Sequence, residues 1–529
     1  MSPWVADIEA AVDSVLQAYH RPGLPGVSVG VLAQGEVRLR KGYGLADIAG
    51  RRPNAPDVPM RIASLSKQFL VTVVLMLEAE GALSIDDDVH RYLPDLPDYG
   101  TPVTLRDLMS NQSGVRDFLE LRLLCGGNFS DPATADESYA LVKSASRLNF
   151  RPGTAFAYSN SGFMLLTLIV ERLEGRSLES VLQSRLLSPL GMTQTHLARS
   201  DIPWLAQRAV PYVVENGCAA RGEWSIPLDG AGGMISSIDD LLKWARYVAD
   251  PASPHAAHFR RMARARPYAD GTDSPYGLGF TVMPYRGLDS FGHHGQLPGV
   301  FAEIAWFPQI DAALVLLANT TEINPFHLGR RLADALFPAA LAPRFPPEVV
   351  PPGHYYDPGE NRVLRVLRQP DGENYLDSAM TRAPVEWHQA GRFRPYWPML
   401  HLQLAAQDDA LVGHDGPRAV AYRRLPTGYA GAPERFTGTF YLPGLESLWR
   451  ISLHDGQLTL ALTGRFGTRH FHLTPLTDEV LIATPAQAPD GHYRPTLRIT
   501  GAHGQRRLMI TTDRTSRLVA GEMLPSTDR

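Results

Sequence analysis

Apolar positions recur at helical spacing at Ile8, Val12, Val15 and Leu16, so the pattern predicts an amphipathic first helix over residues 6–19. The period then shortens to that of strands over Val27 to Leu32 and Val37 to Lys41, which Gln34-Gly35 joins into a hairpin. From Gln68 to Glu80 no Gly or Pro interrupts the chain. Phe69-Leu70-Val71 and Val73 to Leu77 make that segment apolar nearly all round, which marks a buried helix. Pro94, Pro97 and Pro102 mark loops before a short helix near Thr104, where Asp107 supplies a capping signal and Asn111 to Gly114 the close. Further helices are expected over Phe163 to Leu173, ending at Gly175, near Asp239 to Val248, and over His327 to Leu336. Strand signals lie around Phe280, from Ala302 to Phe307 and from Ala312 to Ala318. Helices packed on an antiparallel sheet, an α+β domain, follow from this order.

After residue 340 the pattern changes. Six prolines between Pro338 and Pro352 make a stiff linker, and short alternating strands with turn residues follow. An internal repeat appears there. Gly353, Tyr356, Pro358, Gly359 and Arg365 recur at one offset as Gly438, Tyr441, Pro443, Gly444 and Arg450, with Val363/Leu448 and Val366/Ile451 in register. The period is too long for a solenoid, so two small antiparallel barrels or sandwiches are expected, separated by Leu425 to Pro433. The division is residues 1–340, a linker 341–352, and β modules 353–426 and 432–529.

Length agrees with two or three domains, since 529 residues exceed one ordinary core. A net charge of −4 with scattered Lys and Arg gives no nucleic-acid surface. Cys125 and Cys218 are too few for a disulfide framework or a metal cluster, though a single bridge stays open. Asp7, Glu9 and Asp13 replace the basic start of a signal peptide, and no run is long enough to span a membrane. A soluble cytoplasmic protein is therefore expected.

The candidate chemistry sits at the start of the buried helix. Three residues apart on a helix, the Ser64 hydroxyl and the Lys67 amine share a face, and the helix N-terminus favours a serine alkoxide. A desolvated lysine can take the serine's proton in place of histidine. Isolated Ser-x-x-Lys matches are mostly surface serines beside solvated lysines, but here Lys67 leads into an apolar helix where an unpartnered amine would be costly. Tyr158 and Asn160 sit where extended backbone gives way to helix and can face one cleft; the structural alternative is a buried tyrosine and a capping asparagine. Gly230 to Gly233 read as close backbone packing, since no phosphate-loop pattern surrounds them. His293 on a strand, with Gly295 permitting close approach, suits a cleft wall.

In chain order, Ser64-x-x-Lys67, Tyr158-x-Asn160 and His293-x-Gly295 resemble the three signatures of the penicillin-recognising serine hydrolases, the group of class C β-lactamases and D-alanyl-D-alanine carboxypeptidases. Within that group the chain resembles the bacterial D-aminopeptidases. The likeness rests on Ser64 to Phe69, Asn111 to Asp117, Leu124-Cys125-Gly126 and Tyr158 to Asn160, and in the tail on Phe440, Gly464 and Val480. It implies a class C β-lactamase-like catalytic domain followed by two β-barrels, with no metal and no cofactor. It implies that Ser64 forms an acyl-enzyme while Lys67 and Tyr158 share the proton work, which of them is the base being left open. Cationic Lys67 and His293 would lower the Tyr158 pKa.

Asn160 would orient the substrate amide, and the backbone N–H groups of Ser64 and Gln296 would form the oxyanion hole. A histidine at 293, where β-lactamases carry lysine, argues against a β-lactamase. The loop Thr484 to Pro495 would reach the active site with Asp490 as partner for a substrate ammonium; an exposed turn at Asp490-Gly491 is the alternative, and Asp117 a second acidic candidate. The expected activity is release of N-terminal D-amino acids from small peptides, amides and esters. A D-amino-acid amidase or esterase and a slow-deacylating penicillin-binding-like protein are the competing readings, and a homodimer is left open.

Overall fold

The computed structural model describes residues 3–523 apart from short stretches at 18–22, 199–206, 216, 324, 370–371, 398–399, 487–492, 503–504 and 516–518. A six-stranded antiparallel sheet organises the first domain, in the order Thr281–Val282, Phe291–Leu297, Val300–Phe307, Ala312–Ala318, Val27–Ala33, Glu36–Tyr43. Two neighbouring interior strands, Val27–Ala33 and Ala312–Ala318, are buried at every position, so both faces are covered. Alternation along a strand assigns the faces. Val29, Val31, Leu314 and Leu316 pack with Val12, Leu16, Leu328 and Leu332 of the helices Ile8–Leu16 and Pro325–Leu336. Val315 and Leu317 face the larger core shared with the helices Ser66–Ala79 and Ile238–Ala249. At Gly30 a Cβ would stand 3.0 Å from the Ile238 and Leu242 side chains, closer than ordinary contact allows.

The elements follow the residue patterns closely. Gln34 and Gly35 both take left-handed φ, 54° and 69°, which is what a two-residue hairpin turn requires. Thr104 and Asp107 form a reciprocal capping box on the Leu105–Met109 helix. The Asn160–Glu174 helix ends on Gly175 at φ 64°. A further hairpin, Tyr212–Glu215 with Cys218–Arg221, carries no alternating pattern and was not anticipated. Cys125 is buried and Cys218 exposed, and both are free thiols, so the bridge left open by the sequence does not form.

Beyond the prolines the chain builds two closed eight-stranded antiparallel barrels, spanning the strands from Gly353 to Arg424 and from Gly438 to Met523. The repeated residues fall on the first strand pair of each and the turn that joins it: Gly353–Asp357 with Arg362–Arg368 through Pro358-Gly359, and Gly438–Leu442 with Ser447–His454 through Pro443-Gly444. The last barrel docks on the first domain. Phe466 N donates to Cys125 O at 3.1 Å, and the Arg122 guanidinium lies 4.3 Å from the Phe466 ring centre. A side chain at Gly126 would collide with the carbonyl of Gly467. Among the described residues no helix is long and apolar enough to cross a membrane, and no group of His, Cys, Asp or Glu is placed to hold a metal.

Candidate active site

The Ser66–Ala79 helix is preceded by one 3-10 turn, Ala63–Leu65, and Ser64 sits in that turn, partly exposed between buried Ala63 and Leu65. A 3-10 turn brings residues three apart nearly into line, which sets Ser64 over Lys67. Ala63 holds φ 46°, a left-handed conformation that non-glycine residues seldom adopt and that is typical of strained functional turns.

Lys67 is fully buried. Its Nζ donates to Asn160 Oδ1 at 2.8 Å and to Ala231 O at 2.6 Å, both atoms that can only accept, and stands 3.1 Å from Ser64 Oγ. With two positions of the tetrahedral nitrogen fixed this way, the one facing Ser64 is the lone pair when the amine is neutral. Burial pushes the Lys67 amine well below the usual lysine range, the Arg514 guanidinium pushes it further, and Asp117 opposes both. The amine also lies 4.8 Å from the Tyr158 ring centre and 4.9 Å from that of Phe163. Ala231 belongs to the glycine-flanked turn. There a side chain at Gly230 would press on Leu70 and Thr167, so those glycines serve close packing, as their sequence context implies.

The sequence reading of Tyr158 is corrected on one point. Its pKa is raised, not lowered: burial dominates, and the Ser64 hydroxyl and Arg514 offset only part of it. Burial also lowers the pKa of both neighbours expected to be cationic. The Lys67 amine lies well below the usual lysine range, and burial, then the nearby Lys67 amine, push His293 well below the usual histidine range. His293 donates from Nδ1 to the carbonyl of His294 (2.6 Å), so its Nε2 accepts the hydroxyl proton of Tyr276 at 2.6 Å. Tyr276, His293 and Tyr158 form an aromatic wall, with ring centres 5.7 to 6.5 Å apart. Gly295 lies against the Ile62–Ala63 backbone, where a Cβ would meet the Ile62 carbonyl; this close approach brings the Phe291–Leu297 strand, with Gln296, alongside the Ser64 turn.

Asn160 begins its helix after extended Ser159, and its side chain is turned inward. Its backbone N and its Nδ2 both donate to Asp117 Oδ2, at 2.6 and 3.0 Å. Asp117 is itself the cap of the Phe118–Leu124 helix, accepting from Leu119 N and Glu120 N through Oδ1. That oxygen also lies 3.5 Å from Arg514 Nη1. Asp117 thus anchors Asn160 and Arg514, and is engaged on both oxygens.

Arg514 comes from the last barrel. Its guanidinium lies 5.4 Å from the Tyr158 ring centre, its N donates to Glu120 Oε1 at 3.1 Å, and its O accepts from Asn149 Nδ2 at 2.8 Å. Glu120 also accepts the Thr512 hydroxyl, and burial pushes its carboxyl up to about 7. The tail segment described at this site is therefore 512–515, following the strand Arg507–Thr511. The expected loop Thr484 to Pro495 is described only at its flanks, where Arg494 pairs with Asp377 of the middle barrel at 2.7 Å; Asp490 lies outside the described residues. Tyr276 and Arg514 went unread in the sequence. Tyr276 had a faint signal in the aromatic-rich segment before Phe280, whereas Asp513-Arg514-Thr515 resembles any turn.

Three comparisons bear on this arrangement. Residues 9–338 match the family model described as Beta-lactamase. Proteins named D-aminopeptidase from Brucella canis and Brucella anthropi are 32% and 31% identical over 300 residues; the matched region spans 55% of this chain and 55% of theirs, about half the length of each relative. Among solved structures, the D-amino acid amidase from Ochrobactrum anthropi SV3 overlays with a TM-score of 0.53 at 24% identity, covering 62% of this chain and 98% of that one. The octameric penicillin-binding protein homologue from Pyrococcus abyssi overlays with a TM-score of 0.58 at 20% identity, covering 87% and 98%. Since the family model covers more than half of the sequence and the overlays share the fold, the chain belongs to the Beta-lactamase family.

Proposed function

We propose that this protein is a serine hydrolase that releases N-terminal D-amino acids from peptides, amides and esters through an acyl-enzyme on Ser64. The observation that carries the reading is the Lys67 amine, buried and held by two acceptors so that its remaining position meets Ser64 Oγ at 3.1 Å. In this reading the neutral amine takes the Ser64 proton as the hydroxyl oxygen attacks the scissile carbonyl. The carbonyl oxygen becomes the oxyanion and is met by the backbone N–H groups of Ser64 and Gln296, each worth roughly 100- to 1000-fold in rate. The proton passes from Lys67 by way of the neutral Tyr158 hydroxyl to the leaving amine, the C–N bond breaks, and water reverses the sequence to free Ser64. Asn160 keeps Lys67 in place, while the Tyr276–His293 pair, neutral throughout, backs the Tyr158 ring.

The stereochemistry and the amine are carried by likeness to the D-aminopeptidases and the D-amino acid amidase. One observation favours amidase or esterase action as the second reading. The two buried carboxylates beside the site, Asp117 and Glu120, are both engaged, so a substrate ammonium must find its partner elsewhere, with Asp490 the candidate.

The test is hydrolysis of D-alanine and L-alanine p-nitroanilides, D-alaninamide and a β-lactam by the parent and by Ser64→Ala. The expected result is turnover of the D compounds only, lost in the variant. Preference for the L substrate, or turnover surviving in Ser64→Ala, would overturn the proposal. Equal turnover of N-acetylated D substrates would select the amidase or esterase reading.

A further inference from the structure

Away from Ser64, the seam between the two barrels holds a partly open cavity of about 370 Å3, lined by barrel residues. Its size is at the lower end for small-molecule sites. Val363 and Ile482, which belong to an apolar cluster bridging the barrels, are part of its lining. Arg365 and Arg494 also line it, one from each barrel, as does Thr484.

The charges in this wall do not balance among the described residues. Asp377 is almost wholly buried, with 2% of its side chain exposed, and one of its oxygens is approached by three guanidinium groups. Arg365 pairs with it closely, Arg494 at 2.7 Å and Arg382 at 3.2 Å. Arginine does not lose its proton in a protein, so three positive charges face one negative charge. The surroundings register the excess: burial lowers the Arg494 pKa, and although Asp377 raises it, Arg365 and Arg382 both push it down again. His354, also in the lining, is held below the usual histidine range by burial and then by Arg365, so it adds a neutral ring and no counter-charge.

Repelling guanidinium groups gathered at a cavity gain from an incoming oxyanion, and a forked donor pair suits the two oxygens of a carboxylate. An inorganic ion would leave the apolar side unused, whereas a short hydrocarbon stem would cover Val363 and Ile482. We propose that the inter-barrel cavity is a binding site for a small organic carboxylate, its oxygens held by Arg365 and Arg494 and its apolar body seated on Val363 and Ile482. No residue of this wall takes part in the Ser64 chemistry, so the proposal stands apart from that of the catalytic site.

The experiment is calorimetric titration of the full-length protein with butyrate, inorganic phosphate and butylammonium at constant ionic strength. Butyrate is expected to bind saturably, more tightly than phosphate, and butylammonium not at all. Arg365→Gln and Arg494→Gln should each weaken butyrate by roughly tenfold or more, the loss expected for a charge-assisted pair. Should those variants fold poorly, Thr484→Phe leaves the arginines in place, fills the cavity and should abolish binding. Absence of saturable butyrate binding, phosphate binding in its place, or butyrate binding unchanged in Thr484→Phe would each overturn the assignment.

Discussion

Arg514 connects the last barrel to the proposed base, and replacing it by glutamine tests whether that connection is electrostatic. Lys67 is faced by Ser64, Asn160 and the Ala231 carbonyl, by the rings of Tyr158 and Phe163, and, through space, by Arg514, Asp117 and His293. Burial and then Arg514 lower its pKa, and Asp117 raises it. Arg514→Gln removes a depressing charge and leaves the Asp117 carboxylate without its ion pair, so both changes push the amine pKa upward. The Lys67 amine and the Arg514 guanidinium lie 4.8 and 5.4 Å from the same Tyr158 ring centre, and two unit charges about 10 Å apart at an effective dielectric of about 20 interact by roughly 1.7 kcal/mol, or about 1.2 pKa units. If the neutral amine is the active form, kcat/KM rises with pH through the Lys67 pKa, and this limb should move to higher pH by about 1 to 2 units in Arg514→Gln. The variant would then be some ten- to hundredfold slower than the parent below the limb and recover toward parental rates above it. An activated D-alanine ester whose amine is blocked keeps substrate titration out of the profile. Arg514→Lys, which retains the charge, should leave the limb in place. A uniform loss at every pH, with the limb unmoved, would refute the electrostatic argument and leave Arg514 as an anchor for the barrel.

Other outcomes follow from single contacts. Ser64→Ala should abolish turnover and labelling by a serine-directed phosphonate, read by mass spectrometry of the intact chain. Gly295→Ala should lower kcat by about 100-fold while leaving the barrels folded, because its Cβ would push the strand off the Ile62–Ala63 backbone and disturb one oxyanion donor. Tyr276→Phe should cost roughly 1 to 3 kcal/mol in chemical denaturation, since it leaves the buried His293 Nε2 without its donor. Glu303 is buried and its carboxyl is pushed up to about 8 from 4.5, so the folded state holds a proton that the unfolded state releases. Stability from this group is lost as pH rises from the unfolded value through about 8, and Glu303→Gln should gain on the parent over that window in thermal unfolding.

What the sequence disclosed depended on how local the determining contact was. The Gln34-Gly35 turn, the Thr104/Asp107 capping box and the Gly175 helix end are each set within a few residues, and each lies where its pattern predicts. Ser64 and Lys67 were legible for the same reason. The repeat between Gly353 and Gly438 was legible because two barrels of the same plan spend the same residues on their first strand pair. Asp117, entertained as a partner for a substrate amine, is a helix cap whose second oxygen holds Asn160, a contact spanning 43 positions. The Tyr158 pKa was misjudged because sequence shows which charges are near but not that burial outweighs them. Arg514 approaches Asp117 from nearly four hundred residues away, and no periodicity carries such information.

The position of Arg514 also bears on why the tail is part of this chain. Phe440, Leu442 and Trp449 of the last barrel belong to the same continuous apolar core as Phe69, Leu121 and Phe163 of the first domain. The docking is backbone on backbone: a side chain at Gly464 would press on Cys125, and one at Gly126 would strike Gly467. Glycines at both ends of such a contact let the two chains approach to hydrogen-bonding distance, as Phe466 N and Cys125 O do. Directly N-terminal to that contact is the Phe118–Leu124 helix, which Asp117 caps and on which Glu120 takes the Thr512 hydroxyl and the Arg514 N–H. A shift of the barrel therefore pulls on the helix whose cap positions Asn160, and Asn160 in turn positions Lys67. Removing the barrel would expose part of a shared core and withdraw a charge from beside the base, so it would perturb stability and chemistry together. Point changes at Arg514, which leave the apolar contact whole, separate the two.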